Sequence, residues 1–121
     1  MATIIPTFSK IRGPSGGIDA VVITWAGLSA SGDVGQALQR TDLVDRSVQV
    51  AGTFSGATLV FEGSNDGANY FTLSNPSGTA LSFSTGGLMQ VTEATAWVRP
   101  HITSGSGASL TVTLTARRTL R

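Results

Sequence analysis

Seven carboxylates and a single histidine make up nearly all the acid–base chemistry that this 121-residue chain offers. Glycoside hydrolysis needs two carboxyl groups facing each other across a cleft. Glu62 and Glu93 both fall on predicted strands, where they can face one another or simply stand in solvent; solvent is the better reading. A Ser/His/Asp triad would have to use His101, but the chain lacks a Gly-x-Ser-x-Gly elbow, and Ser104-Gly-Ser-Gly107 has the composition of a hairpin turn. Asp66 with Asn65 and Glu62 suggests calcium. The EF-hand spacing is absent, however, and one Asp is a poor cage for a hard cation. A type I′ or bulged hairpin turn explains Asn65-Asp66-Gly67 more simply. The Gly-rich stretches at 13–17 and 27–35 lack the Walker spacing and its Lys. With no Cys, there are no disulfides, zinc ribbons or thiol nucleophiles; with one His, no multi-His metal site forms within one chain. The expectation is a protein that is not an enzyme, with no catalytic residues, no metal and no cofactor.

The elements that would position these residues have a period of two. In Ser109–Arg117, Leu110, Val112, Leu114 and Ala116 alternate with Thr111, Thr113, Thr115 and Arg117. In Ala96–Ile102, Val98 and Ile102 take one face and Trp97, Arg99 and His101 the other. Val48, Val50 and Phe54 align in the same way, as do Leu59 and Phe61. Such alternation marks half-buried antiparallel strands. Strands are predicted near 3–9, 18–26, 36–40, 47–54, 57–63, 69–74, 80–84, 88–92, 96–103 and 109–117. Residues 36–43, rich in Ala, Leu, Gln and Arg, also suit a short helical turn. From Arg46 onward, turn signals recur about every ten residues. So many short strands require two packed sheets or a barrel. The fold class is therefore all-β, a single-domain antiparallel sandwich of jelly-roll or Greek-key type. Residues 1–17 read as an N-terminal arm or an edge strand, and 18–121 as the sandwich. The predicted core is Val22, Trp25, Val48, Val50, Phe54, Leu59, Phe61, Phe71, Leu73, Leu81, Phe83, Val98, Ile102, Leu110, Val112 and Leu114. Lys10 and Arg12 before an apolar run have a signal-peptide layout, but Asp19 and the Gly-Pro turn argue against one.

Composition narrows the partners. Charged residues make up 12% of the chain, about half the usual share, and Ser and Thr fill much of the gap. A net charge of +1 argues against nucleic-acid binding by bulk electrostatics. No apolar stretch approaches the length of a membrane-spanning helix. Low charge suits a surface buried against neighbours. Lys10 is the only Lys available to blunt the strand edges.

From Val48 to Arg118 the chain resembles small structural proteins of tailed bacteriophages, of the capsid cement or decoration type. The residues that carry the resemblance are the Gly63-Ser-Asn-Asp-Gly67 turn followed by Tyr70-Phe71, the Trp97-Val-Arg-Pro100 strand and Leu110-Thr-Val-Thr-Leu114. The same turn also occurs in discoidin-like sugar- and lipid-binding sandwiches. The resemblance implies a protein that binds the major capsid protein on the shell exterior at capsomer junctions. It would be made in the host cytoplasm, self-associate as a dimer or trimer, and contact neither nucleic acid nor membrane directly. The alternatives are a tail, baseplate or fibre component, and a carbohydrate-binding module, for which Trp25, Tyr70 and Trp97 are the candidate platforms. Partner contacts are expected at Trp97, Arg99 and His101, and at Arg117, Arg118, Leu120 and Arg121; a place in the second sheet's core is the alternative for Trp97. Trp and Arg are common interface anchors.

Overall fold

The structure, a computed structural model, describes residues 2–12 and 18–118. They form β1 (Thr3–Ile4), β2 (Thr7–Arg12), β3 (Ile18–Leu28), β4 (Val34–Gly35), β5 (Leu38–Gln39), β6 (Asp45–Thr53), β7 (Thr58–Ser64), β8 (Phe71–Thr72), β9 (Ser82–Phe83), β10 (Gly87–Val91), β11 (Trp97–Ser104) and β12 (Ser109–Arg117). There is no helix among the described residues. Over 36–43, helix propensity yields to pairing: Leu38 is buried opposite Val98, and the Arg40 amide donates to the Ala96 carbonyl.

One sheet has the order β10-β6-β12-β3-β2; the other runs β1-β4-β11-β7-β8, with β5 also on β11 and β9 also on β7. Apart from the parallel β1–β4 pair, every pairing is antiparallel. If β1 and β2 are set aside and β4/β5 and β8/β9 are each taken as one interrupted strand, eight positions remain. First pairs with last (β3–β12), second with seventh (β4/β5–β11), third with sixth (β6–β10) and fourth with fifth (β7–β8/β9). A long hairpin rolled on itself pairs in this way, which is the jelly roll. Buried Pro6 marks where the chain passes from β1 in one sheet to β2 at the edge of the other.

The core lies between the sheets. Leu110, Val112, Leu114 and Ala116 of β12 are fully buried, as the alternation requires; each large apolar side chain buried this way contributes about 1.5–3 kcal/mol. Trp25 and Phe61 meet edge-to-face at 6.3 Å, and the Trp25 indole N–H donates to the Gln36 carbonyl at 3.0 Å. Two predicted core residues lie elsewhere. Val22 points outward opposite Thr115, because Val21, Ile23 and Trp25 take the inward row. Phe71 is 72% exposed, because β8 is a two-residue edge strand that overhangs the end of the sandwich.

Pro100 explains the broken strand beside β11. Phe61, its partner on β7, directs its N–H and C=O toward Leu81 and Leu73, so the nitrogen of Pro100 faces β4/β5. Pro has no N–H to offer there, and the neighbouring strand splits into β4 and β5 at that level. Gly35 permits the close approach: a Cβ there would stand 2.5 Å from Trp25 Cδ1 and 2.6 Å from Pro100 Cδ.

Candidate interaction surface

β11 carries Trp97, Arg99 and His101 outward and half-buried, with Val98, Pro100 and Ile102 inward. Glu62 of β7 sits directly opposite Arg99 and is buried. Its Oε1 accepts from Arg99 Nε at 2.6 Å, and its Oε2 lies 3.4 Å from His101 Nδ1. The Arg99 guanidinium also lies over the Tyr70 ring, with Cζ 3.8 Å from the centroid. One carboxylate therefore holds a guanidinium and an imidazole in a fixed row, and an aromatic ring covers the guanidinium. A row ordered in advance loses less side-chain entropy when a partner arrives.

Trp97 belongs to this outward face and not to the core. It packs under the turn after β7, where a Cβ on Gly67 would come within 3.3 Å of its ring. Side chains close that turn. Ser64 Oγ accepts the amides of Asp66 and Gly67 at 3.2 and 2.9 Å. Asp66 Oδ1 accepts the amides of Ala68 and Asn69, both at 2.9 Å, and Oδ2 accepts Asn69 Nδ2 at 2.8 Å. The Asn69 and Ala68 amides, and then the Asn69 and Ser64 side chains, hold the Asp66 carboxyl well below the usual carboxylate range. Gly67, at φ 78°, supplies the left-handed residue that the turn needs. No cluster of three metal-ligating side chains occurs among the described residues.

The two glutamates do not converge. Glu62 is committed to Arg99 and His101. Glu93, in the β10–β11 connection, accepts the Ser74 hydroxyl at 2.6 Å and the Ser74 amide at 2.8 Å, and these bonds, the hydroxyl's first, lower its pKa. The solvated reading fails for Glu62, which is buried, and holds for Glu93, which is exposed but lies beyond the end of β10.

Arg117 continues the outward row of β12, between Ala20 and Asp45. It lines a shallow groove of about 630 Å³ with Ile11, Gln90 and Thr115. Arg118 is exposed and helps Arg40, the main cause, to lower the pKa of Asp42. Leu120 and Arg121 lie outside the described residues. The residues expected to meet a partner therefore divide between two sheets: the Trp97/Arg99/His101 row on one, and Arg117, with Arg118 just past the strand end, on the other.

Two buried charges escaped the sequence reading. Arg46 lies in the inward row with Val48 and Val50, and its guanidinium donates to the carbonyls of Arg40 (2.6 Å), Leu43 (2.8 Å) and Thr95 (3.0 Å). Desolvation pushes its pKa down. It ties two connections across the end of the sandwich. A charge at a core-facing position of an alternating strand was the signal. Asp33, 4% exposed, accepts the amides of Ala2, Ser29 and Ala30 and the Ser29 hydroxyl at 2.9–3.2 Å. The Ser29 amide, with the other donors and against desolvation, lowers its pKa.

No protein-family model matches the chain, and no curated protein matches it in sequence. Solved structures do. The SPBc2 prophage-derived protein YomS is 13% identical over 80% of this chain and 94% of its own, with a TM-score of 0.61. The PBSX exported protein XepA is 16% identical over 91% of this chain, with a TM-score of 0.59, but the match spans only 43% of XepA. At such identities the likeness shows a shared fold.

Proposed function

We propose that this chain is a structural protein of a tailed-bacteriophage virion, a cement protein that binds the major capsid protein on the outside of the shell. The observation that carries the reading is the fold match to YomS, a prophage-derived protein, over nearly the whole of that chain. The surface chemistry supports it. The chain has few charges, and its outward face presents Trp97, Tyr70 and a pre-ordered Arg99, the residue types that anchor interfaces. Edge strands β2 and β10 end one sheet, with Phe8, Ile11 and Leu88 exposed on them, and offer pairing positions for a second copy or for the shell.

The mechanism is linkage. A protein that binds only the assembled shell stabilises it by RT ln(1 + [L]/Kd), about 2.7 kcal/mol per site at a hundredfold excess over Kd. Many sites multiply that term against the pressure of the packed genome. Particles lacking the protein should rupture at lower temperature or milder osmotic shock; equal rupture thresholds with and without it refute the reading. Copy number separates the alternative of a tail, baseplate or fibre part: hundreds per particle for cement, tens for a tail part.

A further inference from the structure

Phe71 stands on the lip of a cleft of about 360 Å³ at one end of the sandwich. The turn after β7, strand β8 and the β10–β11 connection form its walls. The absence of a side chain at Gly63 lets Thr95 and Leu73 close over the strand and make the floor: a Cβ there would fall 2.3 Å from Thr95 Oγ1 and 3.0 Å from Leu73. Around the rim stand Asn65, Asp66, Asn69 and Glu93. Their own hydrogen bonds hold these groups in place. Asn65 Oδ1 accepts the Ala96 amide at 3.2 Å, so its Nδ2 is turned away as a donor. Asn69 gives Nδ2 to Asp66, which leaves its Oδ1 to accept. Each Glu93 oxygen takes one bond from Ser74 and keeps a second lone pair.

An exposed flat ring beside fixed amide and carboxylate groups suits a ligand with an apolar face and a rim of hydroxyls, each both donor and acceptor. Two carboxylates at the rim disfavour an anionic ligand. We propose that this cleft binds the end of a neutral saccharide, with Phe71 as the stacking platform and Asn65, Asn69 and Glu93 as partners for its hydroxyls. The site uses none of Trp97, Arg99 or His101 and does not depend on attachment to a shell. Repeated on an array, even a weak site would gain by avidity.

The test is amide-resolved NMR of the full chain, titrated in EDTA with maltotetraose, cellotetraose, mannotetraose and chitotetraose up to about 20 mM, a range that captures millimolar binding. At least one should shift the amides of residues 63–73 and 93–95 saturably, with Kd near 1 mM. Phe71→Ala should weaken that binding about tenfold or more, and Phe71→Tyr should retain it. Tetragalacturonate, anionic on every residue, should leave the spectrum unchanged. The proposal falls if none of the four neutral tetrasaccharides moves these amides, if Phe71→Ala binds as well as the parent, if tetragalacturonate binds equally, or if the shifts map to the Trp97 row instead.

Discussion

Asp33 gathers four donors from three places, so replacing it should loosen the start of the chain and the β3–β4 connection together. Its Oδ1 takes the Ala2 amide, and its Oδ2 takes the Ser29 amide, the Ser29 hydroxyl and the Ala30 amide. A hydrogen bond to a charged group contributes about 1.5–3 kcal/mol, less where water can replace the partner. Ser29 is exposed and can rehydrate. Asp33→Ala should therefore cost about 3 kcal/mol in total. For a chain of this length that is a fall in Tm of about 12 °C. Asp33→Asn can turn its oxygen toward Ser29 and Ala30, which sets its NH₂ against the Ala2 amide. It should cost only about 1–1.5 kcal/mol, concentrated at the β1–β4 pair. There the Val34 and Gln36 amides, which donate to Ala2 and Ile4 at 2.9 and 2.7 Å, should exchange faster. The folded pKa of Asp33 is lowered, so its contribution is full above the unfolded value of about 3.9 and is lost as pH falls through the folded value. Thermal melts at descending pH should show the gap between parent and variant closing below about pH 4. A fall under about 3 °C for Asp33→Ala, or a gap that does not change with pH, would refute this account of Asp33.

Four further outcomes are expected. Gly35→Ala drives a methyl into Trp25 and Pro100 and should cost about 2–3 kcal/mol in urea denaturation, with a shift in tryptophan emission. Arg46→Met leaves the carbonyls of Arg40, Leu43 and Thr95 without their donor and should cost about 2–4 kcal/mol by the same measurement. Glu62→Gln keeps the shape but removes the counter-charge from Arg99; about 1–3 kcal/mol of stability should be lost, and occupancy on purified shells should fall. Deleting residues 117–121 should leave the melting transition near that of the parent, because the buried row of β12 ends at Ala116, while attachment to shells weakens. Unchanged occupancy would remove the tail from the contact surface.

Local pattern alone determined a large part of this protein. A strand side chain points up or down, so Leu110 to Ala116 and Val98 to Ile102 declared their inward rows, and Trp97, Arg99 and His101 shared the opposite face of their strand, although only the structure shows that Trp97 lies outside the core. The turns followed from Gly, Asn, Asp and Pro, whose backbone preferences are local. The absence of cysteine and the single histidine needed no structure at all. Contacts distant in sequence decided the rest. Alternation leaves open which of two rows is buried where both are apolar; in β3 the buried row is Val21, Ile23 and Trp25, and Val22, three residues from Trp25, falls on the opposite face. Phe71 has the composition of a core residue, yet a strand at the sheet's edge has nothing above it to bury against. Glu62 and Arg99 are 37 residues apart and meet only because β7 and β11 pair in one register. Arg46 and Asp33 are tolerable as buried charges only because carbonyls and amides from separate segments converge on them. The division of the expected contact residues between two sheets follows from the rolled topology, which sends β11 and β12, adjacent in the chain, to opposite layers.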